Sequence, residues 1–241
     1  MTAGTLKPSS CALLCPVQRI PAWKRILSFS RSDQTGAGGS WLRSAVIWAV
    51  VLLVVIAPLV AAAMSPLLQW RQPVYILAGF AGVIALALLL FQPLLAGGYL
   101  PGFPSLRGRS LHRWVGAGLV FAVIVHVTGL WITSPPDVID VLLFRSPTPF
   151  SLWGVAAMWA VFAAALVAAL RKRLRIRPKV WRRVHTALAL VIVVGSVVHA
   201  LLIEGTMEPV SKAILCVLVL LATLKAVNDL KIWALLRRRQ A

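Results

Sequence analysis

Six stretches of about twenty apolar residues, separated by short polar connections, leave this chain few ways to fold. In hydrocarbon every backbone N–H and C=O must be satisfied within the structure, so such stretches cross a bilayer as α-helices. The spans are expected at about Ser44–Ala63, Pro73–Ala96, Leu111–Thr133, Phe150–Leu170, Val184–Ile203 and Pro209–Val227. Of the 241 residues, 60% are hydrophobic and 13% charged, whereas a soluble domain averages roughly 45–50% and about 25%. The expected fold is all-α: an integral membrane six-helix bundle over residues 44–227. A flexible basic tail is expected at 1–43 and a basic C-terminal tail at 228–241. Pro58 and Pro93 fall late in the first two spans, where they are expected to kink them. The other prolines near the spans lie in connections or at helix starts.

The formal charge of +19 excludes little until its placement is considered. Cations lie between spans and at the two ends, as topology signals do. On one side fall 22 of the 25 Lys and Arg; the other side holds Arg71, Arg145 and Lys212, with Asp137, Asp140, Glu204 and Glu208. The positive-inside rule then puts both termini in the cytoplasm, as an even number of spans requires. This distribution argues against a nucleic-acid partner and for membrane lipid. Cys11, Cys15 and Cys216 form no metal-ligand spacing, and free thiols are expected.

The chain has four histidines, in two pairs. His112 and His126 lie in LHRWVGAGLVFAVIVHV, and His185 and His199 in HTALALVIVVGSVVH, each pair fourteen positions apart. Fourteen helical steps return to within about 40° of the starting direction and advance about 21 Å. Each pair therefore shares one helix face, with one imidazole near each membrane surface. The third and fifth spans run in the same direction, so His112 is level with His185 and His126 with His199. Two imidazoles facing each other at one level suit a b-type haem with two axial histidines. A proton relay or a hydrogen-bonded helix contact are the other readings of intramembrane histidine. A relay would more naturally include carboxylates, and the spans contain none. Gly116 and Gly195, one turn from His112 and His199, leave room either for a ring or for a neighbouring helix. No repeat of fixed period stands out in the sequence.

At these residues the chain resembles the ferric reductase-like transmembrane family. That family includes the membrane parts of NADPH oxidases and fungal ferric reductases, and the haem subunit of the periplasmic methionine sulfoxide reductase system. The resemblance is carried by HRWVG, by His126 and by WRRVHTALALVIVVGSVVH, and covers Ser44 to Val227. It implies two b-type haems, with His112 and His185 as axial ligands of the inner one and His126 and His199 of the outer. It implies an oxidoreductase that passes electrons outward to an exterior acceptor; the short form without a fused dehydrogenase is read as that of a bacterial inner-membrane protein. Many members continue into a flavin and nicotinamide domain. Here about fourteen residues follow the sixth span and no G-x-G-x-x-G cradle is present. The expected donor is a separate flavoprotein, a quinol, or a flavin bound at the cytoplasmic side.

Arg113 adjoins His112 and Arg183 nearly adjoins His185, and the two are the expected partners of anionic haem propionates. Arg145, in SPPDVIDVLLFRSPTPF, is expected to meet either outer propionates or an anionic acceptor, or else to pair with Asp137 or Asp140. Two further functional readings stand beside ferric reduction. One is the haem subunit of a multi-protein reductase serving a periplasmic partner enzyme. The other is a non-redox membrane protein whose histidines handle protons or a metal.

Overall fold

The computed structural model describes residues 37–103, 105–205 and 207–239. Contacts divide the chain into two units, Met1–Arg43 and Ser44–Ala241. In the first, only residues 37–43 are described, and they are helical; the rest of the expected tail lies outside the described residues.

Seven α-helices and one 3-10 turn make up the described residues, with no strand among them. They are α1 (Ala37–Ala63), α2 (Pro73–Ala96), α3 (Ser105–Thr133), α4 (Pro135–Leu142), α5 (Pro149–Leu170), α6 (Pro178–Leu202) and α7 (Pro209–Arg239). All but α4 are long and apolar enough to cross a membrane. Five of the seven begin on a proline, whose fixed φ and missing N–H suit the first helical position. The end of α2 is equally local in origin. Gly98 takes φ +68°, and the N–H groups of Tyr99 and Gly98 return to the carbonyls of Leu94 and Leu95. This is a Schellman closure, which needs glycine at the left-handed position.

Helix limits differ from the expected spans where helix runs on outside the apolar stretch. α3 starts at Ser105 and α6 at Pro178, both inside basic connections, and α7 continues to Arg239. Arginine and lysine are good helix formers, so leaving the apolar zone does not end a helix. Pro58 and Pro93 lie inside α1 and α2. The connection after α3 holds α4, where two prolines open a short helix and the Ser134 hydroxyl donates to the Asp137 carboxylate.

α3 packs on α2, α2 on α7, α7 on α6, α6 on α5 and α5 on α3, closing a five-helix ring. Its core draws on all five: Leu86, Leu119, Val161, Val193 and Val219 are each buried in one cluster. α3 and α6, which carry the histidines, are not among the closely packed pairs and face each other across the ring. Close approach within the hairpins depends on two glycines. A Cβ on Gly129 of α3 would stand 2.7 Å from Ala78 Cβ of α2, and one on Gly195 of α6 would stand 2.9 Å from the Trp153 carbonyl of α5. Gly195 thus serves helix packing, the second of the two roles the sequence allowed.

At the far end of α6, Lys212 is buried and its ammonium donates to the Ile203 carbonyl at 2.9 Å. A cation there meets an unsatisfied carbonyl and the negative end of the helix dipole. Glu208 accepts from the N–H groups of Ser211 and Val210 at the start of α7, and these bonds hold its carboxyl below the usual range.

Candidate two-tier histidine site

The fold brings the four histidines together in two tiers. In the inner tier, named for the expected cytoplasmic side, the His112 and His185 rings have centroids 6.1 Å apart at 75°. A metal–imidazole bond is about 2 Å, so two imidazoles on opposite sides of one metal atom have ring centres about 6 Å apart. The outer tier pairs His126 of α3 with His199 of α6, on the same two helices.

Three of the four rings are fixed by main-chain carbonyls. His126 Nδ1 donates to Ala78 O at 2.7 Å, His199 Nδ1 to Phe150 O at 2.8 Å, and His112 Nδ1 to Gln92 O at 3.2 Å. A carbonyl only accepts, so each of these Nδ1 atoms carries the proton. The neutral imidazole then has its lone pair on Nε2, the tautomer that a metal-ligating histidine needs.

The outer anchors share one construction. Ala78 and Phe150 each stand four residues before a glycine, Gly82 and Gly154. A Cβ on Gly82 would lie 3.0 Å from His126 Nδ1, and one on Gly154 would lie 2.7 Å from His199 Nδ1. The absent side chain is what lets each imidazole reach the helix backbone. The α2–α3 and α5–α6 hairpins are thus related. Gly82 and Gly154 are 72 apart in sequence, and His126 and His199 are 73 apart, as are His112 and His185. This internal repetition is invisible in the apolar background and emerges from the contacts.

The inner tier is built otherwise. His185 Nδ1 is buried without a hydrogen-bond partner, and its ring stacks on Trp181 at 4.8 Å and 21°. Arg171 lies over the other ring system of that stack, its guanidinium carbon 5.2 Å from the Trp181 ring. The Gln92 side chain lies beside Gly116, 3.7 Å from where a Cβ would be, and its Nε2 is likewise buried without a partner.

The donor set decides what group fits. Among the described residues no three His, Cys, Asp or Glu converge on one point. Two imidazoles per tier are too few for a structural four-coordinate zinc site. They are the number that a six-coordinate haem with two axial histidines takes, since its macrocycle supplies the other ligands. Paired Nε2 lone pairs, helices held apart and an orphaned imidazole nitrogen all fit that group.

The expected anion partners are placed less specifically. Arg113, Arg183 and Arg145 are exposed. Among the described residues, Arg145 forms no ion pair with Asp137 or Asp140; its backbone N–H instead returns to the Asp140 carbonyl at 2.7 Å. The pairing offered by the sequence is thereby replaced by a turn in which Phe144 takes φ +57°. Sequence reasoning missed Gly82, Gly154, Gln92 and Trp181. The available signal was two glycines repeating at nearly the offset of the histidines.

These features define a multi-pass helical membrane protein with paired intramembrane imidazoles, a class suited to moving electrons. The family described as ferric reductase like transmembrane component matches residues 78–196. Through this region the chain is similar to the ferric reductase-like family, which points to a membrane oxidoreductase and to electron transfer. His112, His126 and His185 lie within the match, and His199 lies three residues beyond it. No curated protein and no solved structure matches the chain.

Proposed function

We propose that the chain carries electrons across a bacterial inner membrane through two b-type haems, from a cytoplasmic donor to an exterior acceptor such as a ferric chelate. His112 and His185 hold one haem and His126 and His199 the other. When bound, these groups supply reversible one-electron chemistry; the protein supplies ligation, spacing and a low-dielectric surround. The observation that carries this reading is the pairing of imidazoles in two tiers, three of them with Nδ1 tied to a carbonyl and Nε2 left to bind a metal. The ring separation in the inner tier supports it, and the family match supports electron transfer. A non-redox metal site is disfavoured by the lack, among the described residues, of a third ligand at either tier.

The test is a reduced-minus-oxidised spectrum of the purified protein with haem quantitation per chain. The expected result is b-type bands and about two haems, one per histidine pair. His126→Ala and His199→Ala should each remove the outer haem and keep some of the inner. Absence of b-type bands from wild-type protein would sink the proposal.

A further inference from the structure

We infer that electrons reach the inner tier through Trp181, and that the surface around it takes a donor presenting negative charge. The inference rests on the haem reading above and adds to it a place of electron input and the chemistry of the donor.

His185 is the one histidine of the four whose Nδ1 has no carbonyl to hold it. What holds its ring is the near-parallel Trp181 indole at 4.8 Å. The indole is half-buried and is covered by the exposed Arg171. A continuous series of contacts therefore leads from an exposed guanidinium to the indole, to His185, and across 6.1 Å to His112. Among the described residues the outer tier differs: the ring packed on His199 is that of Phe150, half-buried and edge-on at 62°.

The surface at this end is strongly charged. Eight cations lie between Arg171 and Arg183, all exposed, and no carboxylate lies among them. Membrane topology accounts for cations on this side. It does not account for an indole stacked on a buried imidazole, nor for an arginine lying over that indole. A patch of one sign steers donors of the opposite sign and raises their encounter rate by about 10–10³-fold at low salt.

The step is a one-electron transfer. The anionic reductant would be oxidised by one electron, and the ferric haem that His112 and His185 would hold would be reduced to ferrous; Trp181 and His185 carry the tunnelling path, and no bond forms or breaks and no proton moves. A small anion and the acidic face of a carrier protein present the same charge.

The experiment is rapid-mixing reduction of haem-loaded protein in nanodiscs, with two viologen radicals that differ in charge: the sulfonated, anionic form and the cationic methyl form. At low salt the anionic radical is expected to reduce the inner tier about tenfold faster, with the rates converging at high salt. Reduced flavodoxin, an acidic protein, assigns the protein source if it outpaces the anionic viologen, and the small-anion source if it does not. Arg171→Glu should shrink the preference. Trp181→Leu should slow the anionic reaction severalfold per inner haem still bound, and Trp181→Phe should restore it. Trp181→Leu should also shift the low-spin electron-resonance signal of the inner tier alone, because the stack sets the plane of the His185 ring. Equal or faster reduction by the cationic radical overturns the inference, as does a wild-type rate in Trp181→Leu. So does loss of the preference in nanodiscs containing phosphatidylglycerol, which would assign the patch to lipid headgroups. Protein without haem bands would overturn the functional reading instead, which keeps the two failures apart.

Discussion

The two histidine tiers use the same residue type at the same spacing, yet they are held by different means. In the outer tier both imidazoles bond to helix backbone, at 2.7 and 2.8 Å, through gaps left by Gly82 and Gly154. In the inner tier one imidazole has a longer bond of 3.2 Å and the other has none, resting on Trp181 instead. A backbone anchor is as rigid as the helix that bears it, whereas a stacked side chain can move with its neighbours. The outer tier is thus fixed by main chain on both sides, and the inner tier is adjustable on the side of the basic surface. Anchoring Nδ1 also makes an imidazole a stronger donor to a metal. The tiers should therefore differ in how tightly they hold a haem and in what disturbs them.

The sharpest way to break this comparison is to fill the outer gaps. Gly154→Ala puts a Cβ 2.7 Å from His199 Nδ1, too close for the imidazole to stay, and Gly82→Ala is slightly less severe at 3.0 Å. Loss of such an outer-shell partner typically weakens metal binding by about 10–100-fold. Haem quantitation should show Gly154→Ala losing most of the outer-tier haem while the inner tier is retained, with Gly82→Ala intermediate. Gly79→Ala is the control, because nothing lies within 4 Å of its added Cβ. If Gly79→Ala and Gly154→Ala lost equal amounts, the carbonyl anchors would not be what holds the tier.

How much of this was legible beforehand follows from which signals a sequence carries. The six spans were legible because hydropathy is strong over twenty residues, and the start and end of α2 were placed as found. The starts of α3 and α6 were not, because an arginine-rich helix outside the membrane gives no apolar signal. α4 was hidden by Pro135 and Pro136, which read as a break although proline also opens helices. The histidine tiers were legible from the spacing of four rare polar residues. Their anchors were not, since a carbonyl belongs to every residue and leaves no mark on Ala78, Phe150 or Gln92. Trp181 opens the WRRVH stretch among cations, and nothing in the sequence marks its stack on His185.

Gln92 gives a smaller effect confined to the inner tier. Its carbonyl serves His112, while its side-chain Nε2 is buried with no partner. An unsatisfied buried donor costs about 1–3 kcal/mol. Gln92→Leu removes that donor and leaves the carbonyl in place. Thermal unfolding should show equal or higher stability, by up to about 1 kcal/mol, with the haem content of both tiers unchanged. A loss of inner-tier haem in this variant would make the amide, and not the carbonyl, the contact that matters.

The smallest effect is expected at the surface of the inner end, where side chains again do what backbone does at the outer end. The Tyr99 hydroxyl donates to Asp229 at 2.5 Å, and Lys225 bonds the same carboxylate at 3.1 Å while its ammonium lies 4.9 Å over the Tyr99 ring. These contacts tie α7 to the turn that ends α2, seven residues after Gln92. Burial, then the hydrogen bond to Asp229 and its charge, push the Tyr99 phenol up to about 12 from the ordinary 10.0. The protonated phenol is the form favoured by folding. Its contribution is therefore fully present below pH 10 and is lost as pH rises toward 12. Tyr99→Phe should lower stability by about 0.5 kcal/mol at neutral pH, the low end for a hydrogen bond. It should also flatten the fall in melting temperature expected of wild type between pH 10 and 12. An unchanged fall would mean that the Tyr99–Asp229 bond does not join the two helices. The inner end would then depend on the Trp181 stack and the His112–Gln92 bond.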